Sequence, residues 1–130
     1  MHSPKLSHVV PFLPVRNLQE TVSFYREILG FKDIWEWGDP VTDVRVRRDE
    51  LSLLFTLDEE AAIRVSGIDL MMFLRGVDLL YEEYRERGIQ MVSPVQDKPW
   101  GVREFTVKDL NGYYLRFAEG LELIDGIQKN

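Results

Sequence analysis

Three tryptophans, an arginine and a histidine are the side chains of this sequence with the most chemistry to offer. Trp35 and Trp37 stand two residues apart in Asp33-Ile34-Trp35-Glu36-Trp37. On a strand both rings point to one face, with Glu36 opposite. Such a pair either packs into a core or dimer interface, or forms a wall on which a planar ligand stacks. Trp100, between Pro99 and Gly101, stands where a loop turns into a strand, and packing and ligand contact are both open to it. Arg116 alternates with Leu115 and Phe117, so it shares a strand face with Tyr114. It either pairs with Glu104 across a hairpin or grips an anionic group of a ligand. His8 can line a pocket, touch a ligand, bind a metal or act as a base. There is no cysteine, no serine sits in a nucleophile context, and the nine glycines are scattered at turns and caps. Covalent catalysis and phosphate cradling therefore find no support.

The elements that must position these side chains repeat. Residues 17–31 and 76–89 carry Tyr25-Arg26-Glu27 and Tyr84-Arg85-Glu86 at the same place, about 59 residues apart, and the two segments close at Gly30 and Gly88. Leu18, Val22, Tyr25 and Leu29 make one helical stripe, and Val77, Leu80, Tyr81 and Tyr84 the other. Asn17 is a suitable N-cap, and the two glycines suit the left-handed position after a helix. Strands are expected over 8–15, 31–37, 41–48, 51–57, 68–75, 91–95, 102–108 and 113–118. Turns fall at Asp49-Glu50 and at Asp109-Leu110-Asn111-Gly112, whose Asn-Gly is a hairpin signal.

The order is β-α-β-β-β, twice: an α+β fold of two tandem βαβββ modules whose curved sheets surround a cleft. The whole chain, 1–130, reads as one domain. Module one covers about 6–57, a connector 58–67, module two about 68–118 and a terminal tail or short helix 119–130. Leu53 and Phe55 should face the first helix, leaving Ser52 and Leu54 toward the cleft, and Asp69, Met71 and Phe73 share one side of their strand. A four-stranded sheet with one helix has too little core, so its uncovered face needs a partner. That partner is the other module, or a module of a second chain.

Sixteen Lys and Arg against 22 Asp and Glu leave a net charge of −6. This disfavours nucleic acid as a partner, since phosphate backbones need a basic face, and removes the polybasic route to membranes. No apolar run approaches the roughly 18 residues of a membrane-spanning helix, and no signal peptide is evident. A cytoplasmic protein is expected.

The doubled pattern resembles the vicinal-oxygen-chelate superfamily of glyoxalases, extradiol dioxygenases and bleomycin-resistance proteins. The likeness rests on Pro11-Phe12-Leu13-Pro14-Val15, Asn17-Leu18, Phe24 through Phe31, Pro99 through Phe105 and Val107 through Gly112, and it spans residues 6–119. Enzymes of that superfamily place metal ligands at positions that here look like His8, Leu54, Asp69 and Arg116. Leu54 has no lone pair to give, and Arg116 is permanently cationic with no acceptor. Only His8 and Asp69 could serve a metal, where a catalytic ion usually takes about three protein ligands. The resemblance thus implies the bleomycin-resistance branch: a homodimer without metal or cofactor that sequesters a planar or amphipathic small molecule. Its cleft is expected to be lined by His8, Trp35, Trp37, Leu54, Asp69, Met71, Trp100, Glu104, Tyr114 and Arg116. The alternative is a lyase, isomerase or dioxygenase that depends on a divalent metal.

Overall fold

The computed structural model describes residues 3–124. Module one runs β1 (Phe12–Val15), α1 (Leu18–Ser23), β2 (Asp33–Trp37), β3 (Asp43–Arg48) and β4 (Leu51–Leu57). Module two runs β5 (Asp69–Phe73), α3 (Val77–Glu86), β6 (Met91–Asp97), β7 (Val102–Lys108) and β8 (Tyr114–Gly120), with α2 (Glu59–Arg64) between the modules. Each module forms a four-stranded sheet, ordered β1-β4-β3-β2 and β5-β8-β7-β6. The first and last strands of each module pair in parallel and the others antiparallel. The expected α+β doubling of a βαβββ unit is the observed fold.

One face of each sheet is closed by its helix. In module one Leu13, Val15, Val44, Val46, Leu53 and Phe55 are buried beneath α1, and the Tyr25 ring lies 4.8 Å from Phe55. In module two Val107, Leu115 and Phe117 are buried beneath α3, with Tyr84 5.6 Å from Phe117. Burying those alternate residues stabilises by roughly 25 cal/mol per Å² of apolar surface removed from water, which fixes the register of each sheet. The Asn17 side chain accepts from the Glu20 N–H at 2.9 Å, and Gly30 and Gly88 take φ of +81° and +78°.

Three local expectations need correction, and the connector holds a further element. The first strand starts at Phe12, not at residue 8. Phe12 pairs with Leu54, so Val9 would pair with Leu51 and His8 with the Asp49-Glu50 turn, where the neighbouring strand has ended. The first helix is not α-helical throughout: Phe24–Ile28 is a π turn, in which the Leu29 N–H reaches Phe24 O at 3.2 Å. The connector contains α2, capped by Asp58, whose Oδ1 accepts from the Ala61 N–H at 3.0 Å. Of the expected tail, Glu119 and Gly120 complete β8, Leu121–Leu123 form a 3-10 turn, and residues 125–130 lie outside the described residues.

The modules meet through the repeated tyrosines. Tyr25 OH donates to Asp109 Oδ2 at 2.7 Å, and Tyr84 OH donates to Leu29 O at 2.8 Å. Around them Tyr113 OH donates to Pro14 O at 2.6 Å and Arg87 Nη1 to Ile28 O at 2.6 Å. Arg48 binds both oxygens of Glu83, at 2.8 and 3.0 Å, and donates to Leu29 O at 2.9 Å. Arg48 bridges the modules, and Arg45 and Arg47 both pair with Asp33.

Candidate functional site

Alternation along the strands puts one row of side chains on the uncovered face of each sheet. In module one Phe12, Leu54, Arg45 and Trp35 lie side by side across β1, β4, β3 and β2. The Trp35 and Trp37 rings meet edge to face with centroids 5.4 Å apart, which places both on one side of β2 as their spacing requires. Both remain half open to solvent, at 51% and 61%.

In module two the uncovered face carries Asp69, Met71, Tyr114, Arg116 and Glu104. Here the side chains form a network. Arg116 donates through Nε to Glu104 Oε2 at 2.9 Å and through Nη2 to Oε1 at 3.0 Å. Trp100 Nε1 donates to the same Oε1 at 2.9 Å, and the Trp100 ring centroid lies 5.8 Å from the Arg116 guanidinium carbon. Arg116 Nη1 stands 3.6 Å from Asp69 Oδ2. The two bonds from Arg116, helped by Trp100 and opposed by partial burial, hold the Glu104 carboxyl below the usual carboxylate range. The same bonds push the Arg116 guanidinium up. Outside this network Lys98 Nζ lies over the Trp100 ring and Lys108 Nζ over the Tyr114 ring, each 5.6 Å from its centroid.

The ten residues expected in the cleft therefore fall into three sets. Asp69, Met71, Trp100, Glu104, Tyr114 and Arg116 share the face of module two, and Trp35, Trp37 and Leu54 share that of module one. His8 joins neither. It is exposed ahead of β1, with Nδ1 2.7 Å from Ser7 Oγ, and no hydrogen bond or ion pair links it to Asp69. Of the two open roles for Arg116, pairing with Glu104 is the one the geometry realises. Phe12 and Arg45 are on the uncovered face but were not expected there. Period-two alternation with Leu13, Val44 and Val46 was the signal that could have found them.

Among the described residues no three His, Asp or Glu side chains stand together to hold a metal ion. On the face of module two Glu104 has both oxygens on Arg116, which leaves Asp69 as the one open carboxylate there, too few for a catalytic ion that takes about three protein ligands. This residue set does not fit a catalytic metal. A groove of about 780 Å³ opens elsewhere, between the β3–β4 turn and α3, with Leu51, Leu79, Leu80 and Phe117 in its walls. None of the ten residues lines it, because it belongs to the junction of the modules rather than to their uncovered faces.

Comparison with known proteins agrees with this geometry. A family profile described as Glyoxalase/Bleomycin resistance protein/Dioxygenase superfamily matches residues 5–117. No curated protein sequence matches the chain. A bleomycin-binding protein from bleomycin-producing Streptomyces verticillus, solved with copper(II)-bleomycin, is 26% identical with a TM-score of 0.75, over 91% of this chain and 99% of its own. The bleomycin resistance determinant encoded on transposon Tn5 is 23% identical with a TM-score of 0.72, over 88% and 98%. A glyoxalase-related enzyme from Clostridium phytofermentans has the same identity and TM-score, over 92% and 99%. With two βαβββ modules in the described order and a profile covering nearly all of its length, the chain belongs to the glyoxalase/bleomycin resistance protein/dioxygenase superfamily.

Proposed function

We propose that this protein binds a planar or amphipathic small molecule without metal or catalysis, in a cleft built from the uncovered sheet faces and completed by a second copy of the chain. Arg116 is the observation that carries the reading. It stands on the face where a metal centre would need acceptors, and it is locked to the buried Glu104. The exposed Phe12, Trp35, Trp37, Phe73 and Trp100 support the rest. Exposed aromatic surface of this kind marks a ligand or subunit interface. The likeness to a bleomycin-binding protein and to a bleomycin resistance determinant points the same way.

Two measurements test it. Elemental analysis of the purified protein should find no stoichiometric zinc, nickel, iron or manganese. One ion per chain would overturn the metal-free reading and favour a metal-dependent lyase, isomerase or dioxygenase. Light scattering should report twice the mass of one chain at micromolar concentration, and a clean monomer would remove the second copy from the site.

A further inference from the structure

Glu104 is an unusual residue for a ligand-binding face. Its side chain is 2% exposed, yet it makes three charge-assisted or polar contacts with groups that are much more open. An arginine presents its strongest anion-binding edge through Nε and one Nη, because those two N–H bonds run parallel and match the two oxygens of a carboxylate. In Arg116 that edge is taken by Glu104. The guanidinium carbon lies 5.8 Å from the centroid of the Trp100 ring, whose own N–H is tied to the same carboxylate. A ligand anion could claim the edge only by expelling Glu104, leaving a buried carboxylate unpaired.

Asp69 is placed the other way. It is half exposed, and its approach to Arg116 Nη1 is long, 3.6 Å, beyond hydrogen-bond distance. Its oxygens can still accept. Lys98 and Lys108 lie over the Trp100 and Tyr114 rings, and neither stands within ion-pair distance of Asp69.

We propose that Glu104 is a specificity-determining positioning residue: it takes the Nε–Nη2 edge of Arg116 away from ligand anions, so that module two takes a planar ligand through a cationic or N–H-donating group on Asp69 beside the Trp100 ring. The inference rests on the reading of the uncovered faces as a binding cleft and adds the charge class of what fits there. It also gives Trp100 a fixed orientation before any ligand arrives, which reduces the ordering cost of stacking.

The test uses two probes with one ring system and opposite charge, 2-naphthoate and protonated 2-naphthylmethylamine, followed by tryptophan quenching in about 0.15 M salt to screen the net charge. The wild-type protein should bind the ammonium at least about ten-fold more tightly, the scale of one hydrogen bond to a charged group. Asp69→Asn should erase that preference, whereas Glu59→Gln on α2, which removes the same charge elsewhere, should keep it. Glu104→Gln should raise naphthoate affinity about ten-fold, and adding Arg116→Met should abolish the gain. Equal binding of the two probes by the wild type overturns the inference, as does a preference that survives Asp69→Asn. A folded Glu104→Gln protein that gains nothing for naphthoate overturns it too. If Glu104→Gln does not fold, the wild-type and Asp69→Asn comparison decides alone. Binding of neither probe overturns the cleft itself, and with it this inference.

Discussion

Asp109→Ala should lower the unfolding free energy by about 3 kcal/mol, close to what a small domain can lose and stay folded. Asp109 closes the β7–β8 turn by accepting from the Asn111 and Tyr113 N–H groups, at 2.8 and 2.9 Å, and it also receives Tyr25 OH from the other module. Alanine leaves three donors without their acceptor, and Tyr25 and Tyr113 are buried, so water cannot replace it readily. Urea denaturation of the two proteins measures the loss. Tyr25→Phe removes only the bond between modules and should cost less. If Asp109→Ala melts like the wild type, the turn is not what joins the halves.

The same carboxyl makes stability depend on pH in an unusual direction. Burial pushes the Asp109 carboxyl above the ordinary range, against the lowering effect of its hydrogen bonds from Tyr25, Tyr113 and Asn111. A raised folded value means that folding takes up a proton between the unfolded value, about 3.9, and the folded one. The contribution is therefore fully present below the unfolded value and is lost as the pH rises through the folded value. Relative to Asp109→Asn, which does not titrate, the wild type should lose stability as the pH rises from about 4 toward neutrality. Urea melts of both proteins along that series would show a falling difference. A flat difference would mean that the carboxyl is not perturbed.

Gly30→Ala should cost about 3 kcal/mol, whereas Gly88→Ala, at the matching place of the repeat, should cost only about 1. Both glycines have a φ near +80° and carry the same backbone penalty for a side chain. Their surroundings differ. A Cβ on Gly30 would stand 2.7 Å from Arg48 Nη1, and nothing lies within 4 Å of one on Gly88. Arg48 cannot give way without releasing Glu83 and Leu29 O, so the alanine also breaks the bridge between modules. Comparing the two melting curves isolates that bridge, and equal losses would show that Arg48 moves aside freely.

Much of the uncovered face was legible without coordinates because strand alternation is local. Buried Leu53, Phe55, Leu115 and Phe117 dictate where Leu54, Tyr114 and Arg116 must point, and a shift of one residue would expose the whole core. Arg116 and Glu104 could be named as partners for the same reason, since both alternate onto one face of adjacent strands. Which of its two roles Arg116 fills depended on distances that no periodicity contains.

What the amino-acid sequence alone determined is the doubled module and the face of each strand, both consequences of the periodicity of apolar side chains along each segment. Only the tertiary structure decided where β1 begins: its parallel ladder with β4 starts at Phe12 opposite Leu54, although β4 itself starts at Leu51. It also decided that His8 stands apart from the other candidates, and that Tyr25 finds Asp109, 84 residues away, while Arg48 finds Glu83. Those contacts lie across the surface between the two modules, and a chain carries no local signal for which of its polar groups will meet there.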